Sequence, residues 1–204
     1  NHFGLVIIGA HMGAHILNQV ELFKKEKILL IEPVPHNLKT LRSNISKYDN
    51  VIIEPIAIGE KKEVREFFFI KEKSISKLKK HWASGIGSFN KEHIFSHKTK
   101  RFKVEDSDIE KINIQCLSIN DLLKKHSISS INILQIDVEG SEYEILSKLD
   151  LNKVSISKIL FESKHFDGPF KEGSKLKDIL KKLEKNNYNI KKIDNENIFA
   201  EKII

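Results

Sequence analysis

The sequence predicts an α/β fold in which helices cover both faces of a mostly parallel sheet, and two observations carry this prediction. Short apolar runs alternate with segments of helical periodicity through most of the 204 residues, as in folds built from strand–helix–strand units. The last two strand-like runs, 188–193 and 197–204, are separated by a short polar turn. So short a connection predicts an antiparallel hairpin at the C-terminal end of the sheet. The length suits a single domain over residues 1–204.

The first elements are predicted in the order strand, turn, helix, strand. The apolar run 6–8 leads into a turn bounded by Gly9 and Gly13, after which apolar residues recur at helical spacing. A second apolar run, 28–31, ends at Glu32. Glycines let the backbone approach a ligand closely, and an acid at this place accepts hydrogen bonds from a ribose diol. These residues predict a site for an adenosine-containing ligand.

The glycine spacing favours a ligand other than a dinucleotide. A dinucleotide-binding turn has three glycines in the pattern G-x-G-x-x-G. This turn reads Gly9-Ala10-His11-Met12-Gly13, without a glycine at the middle position. We therefore expect the turn to hold a smaller adenosyl ligand.

The middle of the chain adds strands and then an irregular segment. A helix is predicted from Pro35, a third strand at 51–53, and a β-prone run at 64–70 that we expect to pair back across Gly59. Residues from about 71 to 111 break the alternation and predict a basic, irregular insertion, either a loop or a small subdomain, beside the ligand site.

Regular alternation resumes after the insertion. Strands are predicted at 112–117, 131–136 and 158–161. Serine residues are expected to cap the helices that follow, because a serine hydroxyl accepts a hydrogen bond from the first helical turn. The predicted caps are Ser118, Ser141 and Ser174.

Charge is concentrated in the insertion. Segment 71–103 holds ten Lys or Arg and two acids, a net of +8, so the remainder of the +7 chain sums to −1. A local positive surface attracts an anionic partner. The insertion therefore indicates an anionic substrate or carrier, and a solvated lysine-rich surface is the alternative.

Composition indicates a cytoplasmic protein. No apolar stretch approaches the ~20 residues that cross a bilayer, and no signal peptide is visible. The single cysteine, Cys116, excludes an internal disulfide and is predicted to be a buried apolar residue. With neither a cysteine pair nor an H-E-x-x-H motif, we predict no metal site. The chain begins at Asn1, and we expect further residues before it.

Polar and glycine-rich groups follow the predicted parallel strands. Because ligands of such sheets bind beyond the carboxyl ends of the strands, these groups are expected to form one site. They are the turn 9–13, Glu32, Ala57 with Ile58, the run 137–140 and the run 162–165.

These segments resemble the FkbM family of S-adenosylmethionine (SAM)-dependent methyltransferases, from residue 6 to about residue 165. The run 135–142, Q-I-D-V-E-G-S-E, is similar to the family's I-D-V-E-G-x-E signature, and the turn 9–13 is similar to its G-A-N-x-G loop. His11 stands where that loop has Asn, and Ile7 stands where the family has Asp. Glu32-Pro33, Ala57-Ile58-Gly59 and the serine-containing run 84–89 also match in order.

The resemblance implies a class I, Rossmann-like methyltransferase fold with SAM as cofactor. It implies O-methylation of a hydroxyl on a small acceptor, a carbohydrate or glycoconjugate. The residues expected to bind the cofactor are Gly9, Ala10, His11, Gly13, Glu32, Pro33, Ala57, Ile58 and Asp137. Those expected to bind the substrate are Ser88 and His81.

Catalysis is assigned to polar groups beyond two neighbouring strands. Asp137 follows the central strand, and Glu162 and His165 follow the next one. His165 is predicted to be the general base because an imidazole titrates near neutrality, and His81 and His93 in the insertion are weaker candidates for this role.

Two other functions stay open. An RNA-directed methyltransferase would use the basic insertion for phosphate contacts, although the sequence has no RNA-binding module and a nucleic-acid partner is not expected. A non-catalytic, SAM-binding family member is the second alternative, because Ile7 replaces an acid.

Overall fold

The computed structural model describes residues 1–79, 81–97 and 103–203, without the side chains of His81 and Trp82. The strands are β1 (His2–Ile8), β2 (Ile28–Ile31), β3 (Val51–Glu54), β4 (Ala57–Gly59), β5 (Glu63–Ile70), β6 (Gly87–Ser88), β7 (Ile109–Ser118), β8 (Ser130–Ile136), β9 (Ser155–Glu162), β10 (Tyr188–Lys192) and β11 (Asn197–Lys202). The α-helices are α1 (Leu17–Leu22), α2 (Pro35–Asn44), α3 (Glu72–Leu78), α4 (Lys91–Ser96), α5 (Ile119–Lys125), α6 (Glu142–Lys148) and α7 (Ser174–Lys185). Three short 3-10 helices span Ala14–Ile16, His81–Gly85 and Asp106–Asp108.

The main sheet has seven strands in the order β3-β2-β1-β8-β9-β11-β10. The strands from β3 to β9 in this order are parallel, whereas β11 is antiparallel to both β9 and β10. β1 and β2 are almost entirely apolar and buried, as expected for strands covered on both faces. The predicted parallel sheet and its C-terminal hairpin are confirmed.

A second sheet of four strands, in the order β4-β7-β5-β6, was not expected. The prediction that run 64–70 pairs back across Gly59 is wrong, because β7 lies between β4 and β5. β7 is also longer than predicted and pairs with β5 from Ile109 to Cys116. This arrangement buries a group of side chains from both strands, among them Phe67, Phe69 and Ile114, and such burial favours the long pairing over a tight hairpin.

Apolar side chains pack on both faces of the main sheet. One cluster includes Val6, Leu134 and Phe161 and receives Leu176, Ile179 and Leu183 from one face of α7. The other lies beneath α2. Cys116 is a free, buried thiol, as predicted. No helix among the described residues has the length and apolar character to cross a membrane.

Of the two forms expected for the insertion at 71–111, a loop or a small subdomain, its described residues form the small folded unit. It contains α3, α4, β6 and the start of β7. Six buried residues give it a core of its own: Ile70, Ala83, Ile86, Ile94, Val104 and Ile109. Few apolar residues recur at strand or helix spacing in this segment, and many lysines lie among them. The sequence therefore did not predict this core.

One of the three predicted serine caps is confirmed. Ser118 Oγ accepts a hydrogen bond from Asp121 N at 3.1 Å. Ser141 makes no capping hydrogen bond through its side chain. The N-cap of α7 is Gly173 instead of Ser174, and the Asp167 carboxylate accepts from Lys175 N at 3.1 Å. An acid from a preceding loop has taken the place of the local serine.

Candidate active site

The first turn brings the backbone of β1 close to that of β8. Gly9 has a φ of +91°, and a Cβ atom there would lie 1.7 Å from the carbonyl oxygen of Asp137. Gly9 N and Ala10 N both donate to Ile31 O, at 3.0 and 2.9 Å. Gly13 also has a positive φ, +78°, with Leu41 against the position of a Cβ. Only glycine satisfies both the backbone angle and the close approach at position 9.

Glu32 is a buried carboxylate that organises this turn. It accepts hydrogen bonds from His11 N at 2.8 Å, from Val34 N at 2.9 Å and from Asn37 Nδ2 at 3.2 Å. Burial raises the pKa of Glu32 to about 7, against the opposing effect of these three hydrogen bonds. The structure therefore holds an acid at the end of β2 that is poised between its two protonation states at neutral pH.

The insertion is fastened over the turn by Ser84. His11 Nε2 lies 2.7 Å from Ser84 Oγ, and Asn37 Nδ2 donates to Ser84 O at 2.9 Å. Burial, followed by the charges of His15 and His36, lowers the pKa of His11 to about 4. His11 is therefore neutral at pH 7, and its ring serves as a hydrogen-bonding link between the turn and the insertion.

A cavity lies between the two sheets, at the ends of β1, β2 and β8. Its walls contain two carboxylates, Glu32 and Asp137, and no lysine or arginine among the described residues that line it. The lining residues are Ile8, Gly9, Ile31, Glu32, Pro33, Val34, Ile56, Ala57, Ile58, Phe67, Gly85, Gly87, Phe89, Asp137, Val138 and Ser141. Of the residues predicted to bind the cofactor, six form these walls, and Ala10, His11 and Gly13 shape the turn.

Asp137 begins the turn after β8 and is exposed. Its N–H donates to Ile8 O at 3.0 Å. Partial loss of hydration, followed by repulsion from Glu139, raises the pKa of its carboxyl group above the usual range. Asp137 can therefore accept a proton more readily than an isolated aspartate.

Glu142 stabilises the turn after β8, and the sequence did not predict this role. It is fully buried and accepts from Val138 N at 2.9 Å and from Gly140 N at 3.0 Å. Burial raises the pKa of Glu142 to about 8. The E-x-x-E spacing around Gly140 was a usable signal, since an acid just after a turn can accept its exposed N–H groups.

Glu139, in the turn after β8, is not among the residues that line the cavity. It has a φ of +54°, which turns its side chain toward three histidines. Its Oε2 lies 3.4 Å from the Nε2 atoms of His93, His97 and His165. Burial alone would raise the pKa of Glu139, but the neighbouring imidazoles of His165 and His93 outweigh it and hold that pKa below the usual range.

Glu162 and His165, the other predicted catalytic residues, are buried behind the cavity wall. Glu162 lies beside Asp137 and Glu142, with carboxylate oxygens of all three within 4.8 Å of one another. Burial, followed by repulsion from Asp137 and Glu139, raises the pKa of Glu162. His165 is 2% exposed, and its Nδ1 accepts from Phe170 N at 3.0 Å. Of the predicted catalytic residues Asp137, Glu162 and His165, Asp137 alone lines the cavity.

The two residues predicted to bind substrate lie in the insertion. Ser88 is buried in β6, and its Oγ accepts from Asn90 N at 3.2 Å. Its neighbours Gly87 and Phe89 line the cavity. The side chain of His81 lies outside the described residues.

Comparison with known proteins decides the family. Residues 8–190 match the family described as the methyltransferase FkbM domain. The chain belongs to the FkbM methyltransferase family. It therefore carries a SAM-dependent methyltransferase domain, with SAM as cofactor.

Solved structures agree with the FkbM assignment at the level of the fold. The crystal structure of methyltransferase FkbM from Methylobacillus flagellatus KT superposes with a TM-score of 0.56 and 15% identity, over 98% of this chain and 43% of that one. A fibrillarin/Nop5p complex gives a TM-score of 0.50 and 12% identity, over 98% and 73%. This chain thus spans less than half of the crystallised FkbM protein. No curated protein matches the sequence.

Two departures from the FkbM pattern have a structural account. His11 adopts a φ of +53°, a left-handed conformation that Asn and His both enter more readily than most residues. Ile7 is fully buried and packs with Leu5 and Ala10 in the cluster beneath α2. An acid at position 7 would be buried among apolar side chains, so this chain steadies the turn by packing and by the hydrogen bonds to Ile31 O.

The aromatic part of the FkbM cavity wall was missed in the sequence. Phe67 and Phe89 stand edge to face with ring centroids 5.3 Å apart. The Arg65 guanidinium lies 3.9 Å from the centroid of Phe89. Alternation within β5 was the available signal, because it places Phe67 and Phe69 on one face of the strand.

Proposed function

We propose that this FkbM chain is an O-methyltransferase that moves the methyl group of SAM to a hydroxyl of a small acceptor of carbohydrate type. The observation that carries the proposal is a cavity whose walls hold both Glu32 and Asp137. Glu32 suits the ribose of the donor, and Asp137 suits the hydroxyl of the acceptor. Family membership supplies the donor.

The residues of the cavity fit an adenosyl ligand. The Gly9 backbone leaves room where any side chain would collide. Glu32 offers carboxylate oxygens at the end of β2, the usual position for hydrogen bonds to ribose hydroxyls. The apolar wall, which includes Pro33, Ile58 and Phe89, suits the adenine ring. SAM supplies a methyl group on a positively charged sulfonium, so the protein needs mainly to align the reactants.

Asp137 is the group we assign to the acceptor. SAM, when bound, would supply the methyl group, and the Asp137 carboxylate would take the proton of the acceptor hydroxyl as that oxygen is methylated. The raised pKa of Asp137 favours this transfer. His165, predicted as the base, is buried with its Nε2 toward Glu139, which favours Asp137 for the role.

The charge around the cavity favours a neutral acceptor over an anionic one. The described lining residues include no lysine or arginine. In the insertion, Lys77 pairs with Asp108 and Lys91 pairs with Asp106, so acids just beyond residue 103 offset part of the positive charge. Lys80 and residues 98–102 lie outside the described residues. These pairs favour a mainly structural role for Lys77 and Lys91.

A screen with methyl-labelled SAM tests the proposal. The acceptors are neutral glycans, nucleotide-sugars and a structured RNA, and each labelled product is checked for an O-methyl group. We expect transfer to a neutral hydroxylated acceptor, and Asp137→Asn should lower kcat by ~100-fold or more. The matched control is Asp178→Asn, an exposed aspartate on α7. Transfer to RNA alone, or SAM binding without any transfer, would contradict the proposal.

A further inference from the structure

The geometry points to a second site beside the cavity: His93, His97, Glu139 and His165 bind one divalent transition-metal ion, with Zn²⁺ as the best fit. The four residues come from α4 and its end, from the turn after β8 and from the loop after β9. This inference does not depend on the acceptor or on methyl transfer. It replaces the expectation, drawn from cysteine and H-E-x-x-H patterns, that the chain has no metal site.

The distances between the four ligand atoms suit a tetrahedral ion. Glu139 Oε2 lies 3.4 Å from each of the three Nε2 atoms. His93 Nε2 and His97 Nε2 are 3.1 Å apart. With zinc–ligand bonds of about 2.0–2.1 Å, a regular tetrahedron has edges of about 3.3–3.4 Å. Four of the six distances are therefore close to the edges of such a tetrahedron, and the ligand atoms of all four residues lie within 4.8 Å of one another.

Burial of an unpartnered nitrogen is a separate observation that points to a ligand. His165 Nε2 is buried and makes no hydrogen bond within the described residues, although it faces Glu139. A buried polar atom without a partner is unfavourable. An ion held by the four residues would satisfy it together with the two neighbouring imidazoles.

Metal binding has a structural consequence at Phe170. In the structure, Phe170 N donates to His165 Nδ1 at 3.0 Å, so the ring carries its proton on Nε2. Coordination through Nε2 requires the proton to leave that atom, and Nδ1 then becomes a donor. We expect Phe170, which has a φ of +54°, to give up this hydrogen bond when the ion binds.

The donor set selects the class of metal. Three imidazole nitrogens and one carboxylate suit Zn²⁺, Co²⁺ and related ions, whereas Mg²⁺ and Ca²⁺ prefer oxygen ligands throughout. With four protein ligands the site is closed, as structural zinc sites are. The ion would tie the insertion to the strand ends that carry Asp137 and would stabilise the cavity wall.

Titration of the whole chain with Co²⁺, after treatment with a chelator, tests the inference. We expect saturation at one equivalent, visible absorption typical of tetrahedral Co²⁺, displacement by Zn²⁺, and no displacement by equimolar Mg²⁺. Zn²⁺ should raise Tm, because an ion that binds only the folded state stabilises it. The double variant His93→Gln/His97→Gln should weaken binding by roughly 100-fold or more.

Two further variants keep the inference falsifiable if the double variant folds poorly. Glu139→Gln keeps the three imidazoles and should weaken Co²⁺ binding by at least about tenfold. His2→Gln removes an exposed histidine that pairs with Glu26 and should leave binding unchanged. Absence of saturable one-to-one binding by the wild-type chain, or equal affinity in Glu139→Gln, would show that the cluster is only a hydrogen-bonded group.

Discussion

Glu32 lies where the first turn, α2 and the insertion meet, so its replacement tests the donor end of the site. Glu32→Gln keeps the side-chain volume but removes the negative charge that accepts from ribose hydroxyls. We expect affinity for SAM and for S-adenosylhomocysteine (SAH) to fall by about 2 kcal/mol each, the contribution of hydrogen bonds to a charged group. Calorimetry measures both. Glu184→Gln, at an exposed position on α7, is the control, and unchanged affinity in Glu32→Gln would remove this residue from the site.

The pKa of Glu32 gives the donor affinity a pH dependence. Burial raises this pKa to about 7, so the acid is largely protonated at pH 6 and must lose its proton to accept from both ribose hydroxyls. Affinity for SAH should be constant well above pH 7 and fall about tenfold per pH unit below it. The neighbouring His11, with its pKa lowered to about 4, stays neutral over this range. If the affinity of Glu32→Gln for SAH falls equally steeply below pH 7, Glu32 is not the group that titrates.

Gly9 and Gly168 separate backbone strain from steric collision. Both have positive φ, +91° and +114°, but a Cβ on Gly9 would meet Asp137 O at 1.7 Å, whereas nothing lies within 4 Å of one on Gly168. Gly168→Ala should therefore cost roughly 1–2 kcal/mol of unfolding free energy. Gly9→Ala should cost clearly more and abolish SAH binding. Equal losses in denaturant titrations, with SAH binding retained, would show that the turn is not a close-approach site.

Residue roles could be predicted where the chemistry is local. Gly9 and Glu32 follow strands directly, so the sequence placed them at the cavity. Glu139 could not be assigned, because its direction depends on a left-handed φ within a turn. The His93-x-x-x-His97 spacing was a visible signal, but its partners Glu139 and His165 lie more than 40 residues away, and only the fold brings them together.

At the scale of elements, the insertion is a folded cover fastened by specific polar contacts. Lys77 Nζ lies 3.1 Å from the buried carboxylate of Asp108 and 3.6 Å from the exposed carboxylate of Glu105. Lys77→Met should lower Tm because Asp108 loses a charged partner. Lys79→Met, at an exposed lysine, should change the free energy of unfolding by no more than about 0.5 kcal/mol. If both variants melt together with the wild type, Lys77 belongs to a merely solvated surface.

Elements of the main sheet were predictable because their apolar runs have the length and spacing of buried strands. The second sheet was not predictable from the sequence. The pairing of β5 with β7 depends on which strand faces become buried, and not on which strand follows the nearest turn. The same holds for α7, whose apolar face was evident but whose first turn is capped by Asp167 from the preceding loop. Sequence periodicity thus predicts elements, and tertiary packing decides their partners.

At the scale of the whole molecule, the cavity exists because two sheets meet. The main sheet contributes Gly9, Glu32 and Asp137, and the second contributes Ala57, Phe67 and Gly87. Neither sheet alone encloses a ligand. We therefore expect the donor to contact both sheets and to be covered by the insertion through the contacts of Ser84.

A crystal structure of the chain with SAH tests this account most directly. The account predicts the ribose hydroxyls within hydrogen-bond distance of Glu32, the backbone of Gly9 against the ligand, and the adenine between the two sheets. SAH bound elsewhere, or a cavity that stays closed at saturating SAH while the ligand binds in solution, would contradict it.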